Sequence, residues 1–123
     1  MIFTKSLKKN RDFKQVYSAG RPAVNGVLRL YARPNGMDQN RLGLSVGKKT
    51  GNAVKRNKVK RLIREAYKIV EPSLKQGYDI VVAANFTVNT GTGVGVSKKI
   101  EFALIKKALD ELLAKKGLTA EHI

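Results

Sequence analysis

Residues 48–68 constrain most narrowly what this chain can form. They contain nine Lys or Arg residues and a single acid, Glu65, so this segment carries half of the net charge of +16. Apolar residues recur through it at spacings of three and four, the period of one helical face. These inner positions are Val59, Leu62, Ile63, Ala66 and Val70. The pattern predicts an amphipathic helix over about 52–70, capped by Asn52 and ended by Pro72.

The polar side of this predicted helix stacks like charges for four turns. Its members four residues apart are Arg56, Lys60, Arg64 and Lys68. Like charges at this spacing destabilise a helix, so a solvated face usually mixes signs. We therefore interpret the row as a phosphate-binding surface and expect nucleic acid as the partner. The alternative is an ordinary solvated helix face, which is the commoner meaning of a generic charge run.

Composition indicates one domain over 1–123, with a tail that frays after about residue 117. Hydrophobic residues make up 42 % of the 123, enough for a core, and there are no cysteines to form disulfides. The chain has no long apolar run, and its first residues lack the apolar stretch of a signal peptide. We expect a cytoplasmic protein with no membrane partner.

The remaining pattern predicts three strands and two further helices. A first helix is capped by Asn10, carries Phe13, Val16 and Tyr17 on its apolar side, and stops at Gly20. Strands over 24–33 and 41–46 flank a turn at 34–36 and are expected to pair as an antiparallel hairpin. A third strand covers 78–84, and a Gly- and Thr-rich loop covers 85–96.

A final helix is predicted from a cap at Ser97 to about residue 115. Its inward residues are expected to be Ile100, Ala103, Leu104, Ala108 and Leu112. The order helix, strand, strand, helix, strand, helix predicts an α+β fold, a two-layer sandwich in which helices pack on a small mixed β-sheet.

Three aromatic residues stand among cations near the N-terminus and in the first strand. They are Phe13, Tyr17 and Tyr31, with Lys14 and Arg29 close by in sequence. Aromatics mixed with cations suit single-stranded nucleic acid, because each stacked base contributes roughly 1–3 kcal/mol. The alternative is core packing, which for Phe13 taken alone is the favoured interpretation.

The sequence offers no catalytic residues. The single histidine, His122, lies at the far C-terminal end, the acids are scattered, and no cluster has metal-ligand spacing. Residues 43–50 read GLSVGKKT but fail as a phosphate loop, because the second Gly comes one residue early and Lys replaces the required Ser or Thr. We therefore expect no cofactor bound by the protein itself, and the sequence leaves any protein-bound metal undetermined.

Residues 41–65 resemble the signature of the bacterial ribonuclease P protein component. The core of that signature, Arg-Asn-Arg/Lys followed by Lys-Arg-x-x-Arg, is met by Arg56, Asn57, Lys58, Lys60, Arg61 and Arg64. Residues 7–17 are also similar to the opening of the family. The resemblance implies a subunit of the enzyme that removes the 5′ leader from precursor tRNA. A large RNA does the chemistry with Mg²⁺, and the protein raises substrate and metal affinity.

The resemblance also implies two RNA-binding sites, with the ribonuclease P RNA and precursor tRNA as partners and no DNA. Members that would bind the catalytic RNA are Lys48, Lys49, Asn52, Lys55, Arg56, Asn57, Lys58, Lys60, Arg61, Arg64 and Lys68. Members that would bind the single-stranded leader, in a cleft beside the first helix, are Phe13, Tyr17, Tyr31, Lys14 and Arg29.

The resemblance further implies a left-handed crossover around the basic helix. The chain departs from the family at Asn85, where relatives often carry a basic residue. Charge and fold alone also fit a ribosomal or general RNA-binding protein, which is the main alternative. A stand-alone nuclease is disfavoured, because catalytic groups are missing.

Overall fold

The computed structural model describes residues 1–88, 97–98 and 101–119 of the chain. Its strands are β1 Thr4–Ser6, β2 Ala23–Val24, β3 Leu28–Pro34, β4 Asn40–Ser45, β5 Tyr78–Ala84, β6 Thr87–Val88 and β7 Ser97–Lys98. Its helices are α1 Asn10–Tyr17, α2 Ala53–Val70 and α3 Phe102–Lys115, and a single 3-10 turn, Glu71–Ser73, follows α2. The fold is α+β, as predicted.

Five strands form one mixed sheet in the order β1-β4-β5-β3-β2. The apolar strand β5 is central, antiparallel to β3 and parallel to β4. The predicted hairpin between strands 24–33 and 41–46 is therefore wrong, because β5 lies between them. A strand buried on both faces gains most from a central position, where both of its edges are hydrogen-bonded. The parallel pair β4 and β5 is joined through α2, and the left hand of this crossover stays a prediction.

The first predicted strand is split in two. Val24 belongs to the short β2, which pairs antiparallel with β3. Between them the Asn25 side chain accepts hydrogen bonds from the amides of Val27 and Leu28, at 3.0 and 2.8 Å. This local turn competes with extended backbone and breaks the strand. The short edge strand β1, which lies parallel to β4, was not predicted.

Helices cover both faces of the sheet. Side chains of Ile80 and Val82 on β5 belong to the large core shared with α2 and α3. Val81, between them, packs with Leu7 and Val16 in a smaller core under α1. Alternate residues of a strand point to opposite faces. The α2–α3 layer and the α1 layer therefore lie on opposite sides of the sheet, and α1 adds a partial third layer to the predicted sandwich.

The helix α2 forms largely as its pattern predicts. Val59, Leu62, Ile63 and Ala66 are buried, and Val70 is half-buried. The Asn52 cap is confirmed, since its side-chain oxygen accepts a hydrogen bond from the Lys55 amide at 3.0 Å.

The buried face of α2 also includes Tyr67, which the pattern missed. Its hydroxyl lies 2.8 Å from the Thr4 hydroxyl and accepts a longer hydrogen bond, at 3.4 Å, from the Asn40 side chain. Glu71, just after α2, is buried and accepts hydrogen bonds from the amides of Ile2 and Phe3. These contacts fix the N-terminal segment against the end of α2.

The ends of the other two helices differ from prediction. The N-cap of α1 is Lys9, without a side-chain cap, so Asn10 is the first helical residue. The helix ends at Tyr17 rather than continuing to Gly20, and the C-cap Ser18 donates from both its hydroxyl and its amide to the carbonyl of Lys14, at 2.9 and 3.1 Å. The N-cap of α3 is Glu101, and the predicted cap Ser97 lies instead in β7.

The inner face of α3 is rotated from the predicted one. Ala108 and Leu112 are buried as predicted, and Leu104 is half-buried, but Ala103 is exposed. Buried residues that were missed are Ile105, Leu109 and Leu113. This stretch carries two overlapping apolar stripes, and contact with the sheet and α2 selects between them. Ile100 and residues 89–96 of the predicted loop lie outside the described residues.

The C-terminal segment remains packed beyond Gly117. Leu118 is buried, and its carbonyl accepts a hydrogen bond from the Lys75 amide at 2.8 Å. The frayed tail therefore does not begin directly after residue 117. Residues 120–123 lie outside the described part of the chain.

A partly buried ion pair joins β4 to β5. Arg41 donates from Nε and Nη2 to the two carboxylate oxygens of Asp79, at 2.8 and 2.6 Å, and Asn35 donates to Asp79 at 3.0 Å. The Arg41 guanidinium also lies 3.5 Å from the carboxylate of Asp12 on α1. Burial alone would raise the pKa of Asp79, but the hydrogen bonds from Arg41 and Asn35 and nearby positive charge outweigh it and lower that pKa.

We predict that Asp79→Asn destabilises the protein at neutral pH and less so in acid. The pKa of Asp79 is lower in the folded chain than its ordinary value of 3.8. Its stabilisation is therefore complete above that value and is lost as the pH falls through the folded pKa. At pH 7 the variant should lose roughly 2–3 kcal/mol, because it uncouples a mostly buried ion pair. Denaturant unfolding between pH 7 and pH 3 measures this.

The matched control is Glu65→Gln, which removes an exposed carboxylate paired only with Arg61 at 3.8 Å. Its effect should stay within about 0.5 kcal/mol at every pH. An Asp79→Asn difference that does not shrink in acid would contradict the role given to the ion pair.

Candidate nucleic-acid interface

An aromatic cluster occupies the face of the sheet that α1 partly covers. The ring centroids of Phe13 and Tyr17 are 6.3 Å apart, and those of Tyr17 and Tyr31 are 4.8 Å apart in an edge-to-face arrangement. Tyr17 is 37 % exposed, whereas Phe13 and Tyr31 are half-buried. The structure thus brings the three predicted residues together. Phe13 serves mainly in packing, and Tyr17 is the most available for stacking.

Strand register places this cluster. Gly43, Val81 and Tyr31 form one row across β4, β5 and β3, on the same face as α1. At Gly43 the missing side chain leaves room for Phe13, since a Cβ built there would lie 2.6 Å from Cζ of that ring. Leu7 is also near, at 3.2 Å from the same point. Glycine is required here by close approach rather than by backbone conformation.

The next row across the sheet carries positive charge. Ser45, Ala83 and Arg29 are paired in register two residues further along the same face. Arg29 is exposed there, and Lys14 is exposed on α1. Arg33 at the other end of β3 donates a hydrogen bond to the Gln15 side chain at 2.8 Å, which helps hold α1 on the sheet.

An open groove continues from this row. It has a volume of about 810 Å³ and is lined by Arg29, by Lys48 and Lys49 of the turn before α2, and by Asn85 and Phe86 after β5. Arg29 belongs to the predicted leader-binding set and the two lysines to the predicted catalytic-RNA set, but the fold brings them together. Asn85 occupies the groove where the family resemblance leads one to expect a cation. The pairing of distant strands creates this groove, and no local pattern signals it.

The basic helix α2 packs on the other face of the sheet and carries most of the predicted cations, whereas Lys48 and Lys49 precede it and line the groove. Of the predicted residues, the exposed ones are Lys48, Lys49, Asn52, Asn57, Lys58, Arg61, Arg64 and Lys68, and the half-buried ones are Lys55, Arg56 and Lys60. Glu65 is the only acid on α2, and it pairs with Arg61 at 3.8 Å in an exposed position. One exposed pair leaves most of the positive field of the helix intact.

Within residues 1–88, 97–98 and 101–119, no three His, Cys, Asp or Glu side chains lie together as a metal site would require. No helix in the same part of the chain has the length and apolar character needed to cross a membrane.

A like-charged helix and an aromatic cluster with cations beside it are typical of RNA-binding proteins. Comparison with known proteins specifies the family, since the family model for ribonuclease P matches residues 2–116. A ribonuclease P protein component from Caldanaerobacter subterraneus is 39 % identical over 115 residues, covering 94 % of this chain and 91 % of the relative. That of Clostridioides difficile is 42 % identical over 99 residues, covering 80 % and 87 %.

Solved structures agree with this result. The ribonuclease P protein of Staphylococcus aureus superposes with a TM-score of 0.75 at 34 % identity, over 93 % of this chain and 96 % of that one. The protein of Thermotoga maritima gives 0.71 at 29 % identity, over 90 % and 96 %. This chain belongs to the ribonuclease P protein family, the protein subunits of the endonuclease that processes the 5′ ends of tRNA.

We predict that Gly43→Ala displaces the Phe13 ring and so disturbs the aromatic cluster. The added methyl group would overlap the ring, which can move only partly because Leu7 and Val16 pack around it. The free energy of unfolding should fall by about 1 kcal/mol, as for modest overpacking. Aromatic NMR shifts of Phe13 and Tyr17 should change.

The control is Gly47→Ala, since an added Cβ at Gly47 meets nothing within 4 Å. Gly47→Ala should leave the aromatic shifts and the stability unchanged. Equal shifts in the two variants would contradict the close approach at Gly43.

Proposed function

We propose that this chain binds the ribonuclease P RNA through α2 and the single-stranded 5′ leader of precursor tRNA through the aromatic cluster. The observation that carries the proposal is the separation of the two surfaces. The aromatic cluster lies on the face of the sheet under α1, whereas α2 packs against the opposite face. Two RNA molecules therefore have room to bind at once.

The proposed role of α2 follows from how it is held. Its inner residues Val59, Ile63 and Ala66 are fully buried, so the charged row stands on a fixed support. Because the helix is already formed, binding requires no further ordering of its backbone. Each neutralised phosphate releases counterions, which makes affinity for RNA strongly dependent on salt. Asn57, exposed among the cations, is placed to hydrogen-bond a base or a 2′-hydroxyl.

The proposed leader site combines stacking with charge. Tyr17 offers an exposed ring for a base, and Arg29 with Lys48 and Lys49 lines the adjoining groove where phosphates would pass. The partner RNA does the chemistry with its own Mg²⁺. Holding the leader beside that RNA raises substrate affinity, and the ordered phosphates in turn bind Mg²⁺ more tightly. We place this function in the cytoplasm.

A cleavage assay tests the proposal against a general RNA-binding role. The chain should increase cleavage of precursor tRNA by a bacterial ribonuclease P RNA at low Mg²⁺, and should not cut when it is alone. A ribosomal or general RNA-binding protein would leave cleavage unchanged at equal occupancy. Cutting by the chain alone would instead overturn the accessory role.

We predict that Arg61→Ala combined with Arg64→Ala weakens binding of the ribonuclease P RNA and flattens its salt dependence. Each lost phosphate contact should reduce the slope of log affinity against log salt by about 0.7–0.9. The control is Lys75→Ala with Lys107→Ala, which removes the same charge from exposed positions outside α2. Equal slopes for the two double variants would contradict α2 as the contact.

We predict that Tyr17→Ala lowers affinity for precursors with a long leader, by about five- to tenfold for one lost stacked base. Mature tRNA, which has no leader, should bind unchanged. Tyr17→Phe keeps the ring and should behave as the parent chain does. Equal losses with and without the leader would show that Tyr17 acts elsewhere, and binding experiments on both RNAs decide this.

A further inference from the structure

A second cavity, of about 240 Å³, opens at the edge of the sheet between the N-terminal segment and α2. Four cations line it: Lys5 of β1, Lys8 before α1, and Lys60 and Arg64 on α2. No acid is among its lining residues. Lys5 and Lys8 belong to neither RNA-binding set described above.

The fold holds Lys5 and Lys8 of the N-terminal segment close to Lys60 and Arg64 of α2. β1 lies parallel to β4, and the Leu7 amide bonds to the Leu42 carbonyl at 2.9 Å. The Thr4 hydroxyl is hydrogen-bonded to Tyr67 on the inner face of α2 at 2.8 Å. Lys60 and Arg64 are one helical turn apart and so lie on the same face. The four positive charges are therefore brought together by structure, not by a flexible tail.

Nearby acids are engaged elsewhere. Asp12 contacts Arg41, and Glu65 contacts Arg61. The buried carboxylate of Glu71 accepts hydrogen bonds from the amides of Ile2 and Phe3. Within the described part of the chain, none of the four lining cations forms an ion pair. Converging like charges repel one another, and an anion in the cavity would relieve that repulsion.

The floor of the cavity is apolar. Leu7 and Leu42 are each 5 % exposed, and the other apolar residues of the lining are Met1, Phe13 and Leu44. Apolar walls reduce solvent screening, so a charge seated there interacts more strongly with the cations than it would on an open surface. The cavity is smaller than the roughly 300–1,000 Å³ of pockets for drug-sized ligands, which favours a small anionic group.

We propose that this cavity binds a backbone phosphate of the RNA strand that lies along α2, so that Lys5 and Lys8 extend the RNA-binding surface past the helix. The assignment of that strand to the ribonuclease P RNA rests on the proposed function. Lys60 and Arg64 support it, because they belong both to the charged row of α2 and to the cavity. Phe13 also lines the cavity, so the cavity lies next to the aromatic cluster.

The test compares Lys5→Gln with Lys8→Gln against a control, Lys9→Gln with Lys107→Gln. Both double variants lower the net charge by two, and Lys9 is the exposed neighbour of Lys8 that does not line the cavity. Binding of the ribonuclease P RNA is measured across salt. The cavity variant should bind about fivefold more weakly, with a slope reduced by about 0.7–0.9, the value of one phosphate. The control should match the parent chain.

Equal affinities and slopes for the two double variants would overturn the proposal. A loss confined to precursor tRNA with a leader would overturn the assignment to the ribonuclease P RNA and give the phosphate to the leader. Lys5→Arg with Lys8→Arg should restore binding, which separates charge from a folding defect.

A second measurement does not depend on the proposed function. Inorganic phosphate is titrated into the parent chain and the cavity variant, and amide NMR shifts are followed. Shifts at residues 5–8 and 60–64 that disappear in the variant support the cavity, and no shift there overturns it. If the parent chain fails to stimulate cleavage, the proposed function fails, while this titration still decides whether the cavity binds phosphate.

Discussion

Burial of β5 on both faces is the constraint on which the rest of the structure depends. Ile80 and Val82 enter the core with α2 and α3, and Val81 enters the core under α1. Each fully buried side chain of this kind stabilises the fold by roughly 1.5–3 kcal/mol. Because the strand separates the two cores, the aromatic cluster and α2 lie on opposite faces of the sheet, and they approach each other at the edge strand β1, where Phe13, Lys60 and Arg64 line one cavity. The same three residues thus stabilise the fold and place the two surfaces that we propose for different RNAs.

The repulsion between like charges on α2 is the second constraint, and the packing of the inner face of the helix offsets it. Like charges along α2 oppose helix formation, but its buried inner face holds the helix in place. The Arg41–Asp79 pair, with Asp12 alongside, connects β4 and β5 to α1 and so fixes the aromatic cluster relative to the sheet. Within the described residues most cations form no ion pair with an acid of this chain, which suits a protein of net charge +16 that we propose binds polyanions.

The parts that could be predicted from sequence are those fixed by local chemistry. The apolar period and the Asn52 cap of α2 depend on residues close in sequence, so the start of the helix is predicted to within one residue. The strand order depends on contacts between residues far apart in sequence. β4 pairs with β5, although the whole of α2 lies between them in the chain, and not with its sequence neighbour β3. β1 has three residues and no apolar pattern, so only its hydrogen bonds to β4 reveal it.

The candidate site could likewise be predicted from sequence only in part. Residue types and the family signature indicated the cations of α2 and the aromatics. Arg29 and Lys48 line the same groove only because of the register of three strands, and no sequence pattern predicts that register.

We propose that two RNAs bind at the same time, one at the aromatic cluster and the other along α2. Photo-crosslinking distinguishes the two sites, with a photoreactive residue placed at position 17 in one sample and at position 61 in another. In the complex of protein, ribonuclease P RNA and precursor tRNA, position 17 should crosslink to the leader and position 61 to the ribonuclease P RNA. Crosslinks from both positions to the same RNA would contradict the account.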